Sequence, residues 1–156
     1  MKNERLKTYI ISILIPLVPG ALVGLITRGA MADFAALRQP PLSPPGWLFP
    51  VVWTILYTLM GISLAMIRLS RTKEREDALF LFALQLFVNL LWPILFFSWQ
   101  LRLSAFFVLL LLIALVIAMI SRFWRIRPAA GVLNLPYLVW LGFAAWLNAA
   151  VYWLNR

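Results

Sequence analysis

The amino-acid sequence predicts an all-α membrane protein, a bundle of five transmembrane helices. Three observations carry this. Of 156 residues, 64% are hydrophobic and 12% charged, whereas soluble domains are nearer half apolar and a quarter charged. Five charge-free runs, residues 8–27, 44–67, 78–101, 103–121 and 128–155, are each about long enough for a bilayer, which takes about 20 apolar residues. The basic residues lie in short segments between those runs, where topology rules place Lys and Arg. Runs this apolar do not alternate as barrel strands would. A backbone in lipid must satisfy its own hydrogen bonds, so each run is a helix. The length leaves room for one domain, 1–156.

The same composition removes whole classes of chemistry. There is no Cys, hence no disulfide, thiolate nucleophile or Cys-held metal. There is no His, the commonest metal ligand and general base. No ionisable side chain other than Tyr lies inside any run, so a proton relay lacks its usual groups. The net charge of +9 is a topology signal here, not a nucleic-acid footprint.

In order, the first run reads as a retained helix and not a cleaved signal, for want of an A-x-A-like site before Arg28. Its Gly20-x-x-x-Gly24 face lets a second helix approach closely, within the monomer or across a homodimer. Residues 27–43 form the longest connection, with one amphipathic turn at Phe34–Leu37. A connection of that length is often a binding element. Four prolines in six residues, Pro40, Pro41, Pro44 and Pro45, then forbid helix and feed an extended segment into the second run. There Trp53 and Tyr57, four apart, share one face, and the aromatics continue inward from Trp47 for three turns.

Residues 68–77 are a solvated loop of mixed charge. The third run carries Gln85-x3-Asn89-x2-Trp92-Pro93, then Phe96 and Phe97. Amides in hydrocarbon must be paired, so Gln85 and Asn89 face inward, either bonding between helices or meeting a ligand. Pro93 should kink this helix. The fourth run, almost without polar groups, reads as a lipid-facing wall. The fifth contains Leu135-Pro136-Tyr137-x2-Trp140-x2-Phe143-Ala144-x2-Leu147-Asn148. Trp140, Ala144 and Asn148 share a face, and the small residue between them leaves a hollow beside the indole. Leu147, Tyr152 and Arg156 fit a proposed cholesterol pattern that many helix ends satisfy.

The second-run pattern P-P-x-W-x-F-x-x-V-W-T-x-L-Y-x-x-M-G, with the third-run and fifth-run patterns above, resembles the signature of the TspO/MBR family of tryptophan-rich sensory or translocator proteins. The resemblance spans nearly the whole chain. It implies a bacterial cell-membrane receptor that binds porphyrins, sterols and aromatic drugs within five helices. The connection after the first helix would cover the ligand, with Phe34 as a lid aromatic. The family's Lys before the first proline and Trp two after it are replaced here by Gln39 and Leu42. Carried over residue by residue, the ligand positions are Phe34, Pro44, Trp53, Tyr57, Asn89, Trp92, Phe96, Trp140, Phe143, Ala144 and Asn148.

What remains inside the spans is aromatic surface with a few neutral polar groups, the make-up of a site for a flat apolar ligand. No cofactor is required on this reading, and protoporphyrin IX, stacked on Trp53, Tyr57 and Trp140, is the expected ligand. One alternative is light- and oxygen-dependent porphyrin degradation, with Trp53 and Trp140 as the oxidised groups. Another is carriage of tetrapyrroles across the membrane. Orientation follows from charge. Lys2, Arg5, Lys7, Arg68, Arg71, Lys73, Arg75, Arg122, Arg125 and Arg127 lie on one side, and only Arg28, Arg38, Arg102 and Arg156 on the other. Reporter fusions should therefore find the N-terminus in the cytoplasm and the C-terminus outside. Both termini on one side would refute the five-span reading.

Overall fold

A computed structural model describes residues 2–156. Five helical spans are present, and the described residues contain no strand. Helix α1 covers Lys2–Ala35, α2 Leu48–Arg68 and α3 Arg75–Pro93. A π-helical turn, Ile94–Ser98, extends α3. Helix α4 is Arg102–Ile126, and the last span is the short α5, Pro128–Val132, followed by α6, Leu135–Leu154. Helix α1 packs along α2 and against α3, while α4 lies against both α3 and α6.

Three expectations about the elements are revised. The connection expected at 27–43 is mostly helix: α1 runs on to Ala35, so Phe34 sits on its last turn. At 34 residues α1 is about 51 Å long, well beyond the ~30 Å thickness of the hydrocarbon layer. Where a kink is expected at Pro93, the turn is widened. Pro93 has no N–H to donate, and the Trp99 amide closes the π turn on the Ile94 carbonyl (2.9 Å). The fifth run is broken at Asn134. Its side-chain amide donates to the Ala130 carbonyl (2.9 Å) and to Ser63 on α2 (2.8 Å). Pro136 then occupies the first turn of α6, where a missing N–H costs nothing.

The fourth run is also more than a wall. Ala105, Leu109, Leu112, Val116, Met119 and Phe123, spaced three and four apart, are fully buried. Its opposite face, including Phe107, Leu111 and Ile117, is exposed to lipid. Close approach elsewhere depends on glycine. A Cβ on Gly61 of α2 would overlap the α1 backbone at Ile13, and one on Gly20 of α1 would overlap the Tyr57 ring. Gly20 therefore serves packing within the chain, whereas a Cβ on Gly24 meets nothing within 4 Å. Exposed Trp47, Trp99 and Trp153 mark the lid-side interface, and Trp124 the other.

Four buried polar side chains tie α2, α3 and α6 together. The Tyr57 hydroxyl donates to Asn89 Oδ1 (2.6 Å), and Asn89 Nδ2 donates to the Tyr137 hydroxyl (2.8 Å). That hydroxyl donates in turn to Gln85 Oε1 (2.9 Å), and Gln85 Nε2 reaches the Met60 sulfur (3.8 Å). Tyr137→Phe strands two partners, and Tyr57→Phe strands one. Inter-helix hydrogen bonds in membranes average ~0.6 kcal/mol, so Tyr137→Phe should destabilise by ~1–2 kcal/mol, about twice the effect of Tyr57→Phe. Thermal unfolding in one detergent measures both. An equal or smaller effect at Tyr137 would show that the network does not hold the helices.

Candidate functional site

Three tryptophans stand one turn from that network, all toward the lid. Trp53 precedes Tyr57 by four residues on α2. Trp92 and Trp140 follow Asn89 and Tyr137 by three on α3 and α6. Helix α2 runs opposite to α3 and α6, so the offsets agree in direction and place the rings about 5 Å above the network. There they bound an aromatic chamber.

Phe34 enters the chamber from the end of α1. Its ring centroid lies 5.6 Å from that of Phe96 and 5.4 Å from that of Phe97. Phe96 stacks on Trp92 at 5.4 Å. From α6 come Trp140, Phe143, Ala144, Leu147 and Asn148. Asn148 is fully used, accepting from Trp92 Nε1 (3.2 Å) and donating to the Arg102 carbonyl (2.8 Å). The indole N–H groups of Trp53 and Trp140 have no hydrogen-bond partner among the described residues and remain partly exposed. The chamber retains only about 10 Å3, the room of a single water.

A second, larger space of about 530 Å3 lies between α1 and α2. It is a groove, open on one side and backed by Tyr57. Phe49, Trp53, Trp92 and Phe97 line both spaces and form the partition between them. The expected ligand positions are thus divided between two spaces. Trp53, Trp140 and Ala144 meet in the chamber, and Tyr57 faces the groove. Asn89 lines neither, because both ends of its amide are bonded to tyrosines. Pro44 lines neither, lying in the segment before α2. The sterol pattern does not form one surface. Leu147 faces the chamber, about 140° around the helix from Tyr152. The Arg156 guanidinium packs over the Trp153 ring at 3.3 Å.

Phe49 and Phe97 were legible as aromatics but not as the partition. The groove residues of α1 carried no signal beyond their glycines. The lid itself is fastened by side-chain amides. Gln39 Nε2 donates to the Phe34 carbonyl at the end of α1 (2.6 Å), and Ser43 donates to Gln39 Oε1 (2.7 Å). Asn155, just past α6, accepts from the Arg38 amide and donates to the Arg38 carbonyl, both at 3.0 Å. Asn155→Ala should therefore raise hydrogen exchange in 36–43 by about tenfold, the size of one net ~1.4 kcal/mol contact, with the spans unchanged. Exchange as slow as in the parent protein would show that the Asn155 contacts do not hold the lid.

The TspO/MBR family model matches residues 12–154. The chain is 38% identical over 124 residues to the tryptophan-rich protein TspO of Chlorobaculum tepidum, covering 78% of each. It is 37% identical over 139 residues to protein CrtK of Rhodobacter capsulatus, covering 87% of this chain and 85% of that one. It is 35% identical over 147 residues to the translocator protein of Bos taurus, covering 92% and 87%. These matches run through all five spans, and the chain belongs to the TspO/MBR family of integral membrane proteins.

Proposed function

We propose that the protein is a membrane sensor that binds porphyrins and other flat apolar ligands in the aromatic chamber beneath Phe34. The convergence of Trp53, Trp92, Trp140 and Phe143 under one lid aromatic carries this reading. Flat macrocycles stack on such rings, at ~1 kcal/mol per pair beyond area burial. Relatives named as sensory and translocator proteins agree with a sensing or binding role.

Ligand pockets typically have 300–1,000 Å3, so a chamber of about 10 Å3 is a closed state. Entry requires Phe34 to leave Phe96 and Phe97, and the lid to part from Asn155. The ligand's binding energy must offset that opening.

A second reading has one observation behind it: both oxidisable indoles, Trp53 and Trp140, line the same chamber. Light and oxygen would then destroy a bound porphyrin. Illumination with product analysis separates the two. An intact porphyrin recovered after illumination leaves the protein a binder.

Optical titration with protoporphyrin IX tests binding. The parent protein should saturate with a shifted absorption band. Ala144→Leu adds three carbons to the chamber wall and should weaken affinity about tenfold, or ~1.4 kcal/mol. Gly142→Ala, where a Cβ meets nothing within 4 Å, should leave affinity unchanged. No saturable binding by the parent protein would end the porphyrin reading. Equal affinity of Ala144→Leu would move the ligand out of the chamber.

A further inference from the structure

The groove between α1 and α2 has the form of a site for an amphiphile. On α1 it runs from Leu17 past Gly20, Gly24 and Arg28 to Met31. Leu17 to Arg28 is eleven residues, about 16 Å, roughly half of the ~30 Å hydrocarbon layer. That stretch has about the depth of the leaflet on the side of the proline-rich lid, and the groove continues one turn further to Met31.

Its chemistry is divided in the same way. Along its length the hydroxyls are already used. Thr27 donates to the Val23 carbonyl (2.9 Å), Thr54 to the Pro50 carbonyl (2.8 Å), and Tyr57 to Asn89. Toward its lid end, one turn before Met31, stands Arg28, the first charged residue after the first apolar run. Among the described residues no carboxylate lies within ion-pair distance of it. A slot of apolar wall with one cation at the top matches an acyl chain with a phosphate above it. A sterol brings no charge for Arg28.

We propose that this groove binds one phospholipid of that leaflet, an acyl chain lying from Arg28 toward Leu17 and the phosphate paired with the Arg28 guanidinium. Arg recognises phosphate by paired N–H donors, and pairing near the interface is screened less than in bulk water. This site is separate from the chamber and stands whether or not the chamber binds porphyrin.

Native mass spectrometry of the full-length protein, exchanged into defined mixtures, tests it. The probes are phosphatidylglycerol and diacylglycerol with the same chains. The parent protein should retain about one phosphatidylglycerol per chain and at least about tenfold less diacylglycerol, a difference of ~1.4 kcal/mol. Arg28→Gln should abolish that preference. Gly24→Leu projects into open space and should lower retention of both by about tenfold, with the helical content unchanged. Ala21→Leu, on the same exposed strip, replaces it if Gly24→Leu does not fold. Protoporphyrin IX affinity should be the same in all variants. Equal retention by the filled-groove variant overturns the proposal, as does a parent protein that does not distinguish the two lipids. Displacement of the lipid by protoporphyrin one for one assigns the groove to the porphyrin site. Loss of a dimer on filling the groove, without lipid loss, assigns it to a second copy of the chain.

Discussion

The arrangement of the bundle depends on the need to pair polar side chains in hydrocarbon. An unpaired amide or phenol there costs several kcal/mol, and Tyr57, Gln85, Asn89 and Tyr137 escape it only together. Their bonds fix how α2, α3 and α6 are rotated about their own axes. Apolar packing alone would not, because lipid tails offer each helix as good a surround as another helix does. Once the rotation is set, Trp53, Trp92 and Trp140 have no freedom to face lipid. They are one turn away on the same faces. The network lies one turn beyond the chamber without lining it, and these polar residues determine where the aromatic ones point.

This division of labour explains what was legible in the sequence. Five spans follow from charge-free length. The inward faces of α2, α3 and α6 follow from their polar residues, since each amide or phenol names the buried side. Helix α4 has no such marker, since both its buried and its exposed face are apolar. Half of it was therefore misread as lipid-facing throughout. For Asn89 the chemistry was right and the partner undecided: an amide there must be paired, and two tyrosine hydroxyls supply the pairing before any ligand arrives. The length of α1 was obscured because Arg28 and Asp33 end the apolar run without ending the helix, which continues for two more turns and carries Phe34 onto Phe96 and Phe97.

Cavities were the least legible feature, because volume is a small difference between large packed surfaces. The same residues that mark an aromatic site also fill it. Phe34, Phe96 and Phe97 pack edge to face within one another's reach, and the chamber they line is shut. Nothing in the spacing of aromatic residues separates rings that await a ligand from rings that satisfy each other. The groove arises from an absence: Gly24 and Ala21 leave α1 short of side chain opposite Trp53 and Thr54. One glycine of the pair, Gly20, is spent on Tyr57, and the other is open. A small-residue motif thus records one close approach and one gap, and only the neighbouring helix decides which is which.

The partition between the two spaces sets a limit on how they can influence each other. Phe49, Trp53, Trp92 and Phe97 present one side to the chamber and the other to the groove. Opening the lid requires Phe34 to withdraw from Phe97, which frees that ring to move. An occupant of the groove biases this step only through a difference in its contact with Phe97 between the closed and open states. Any such coupling is reciprocal, so whatever the groove occupant contributes to chamber affinity, a chamber ligand returns to it by the same factor. Trp53 stands one turn above Tyr57 on α2, and Phe97 is carried on the widened turn after Pro93. The π turn after Pro93 thus bears on both sites at once, together with the α2 and α3 residues of the partition.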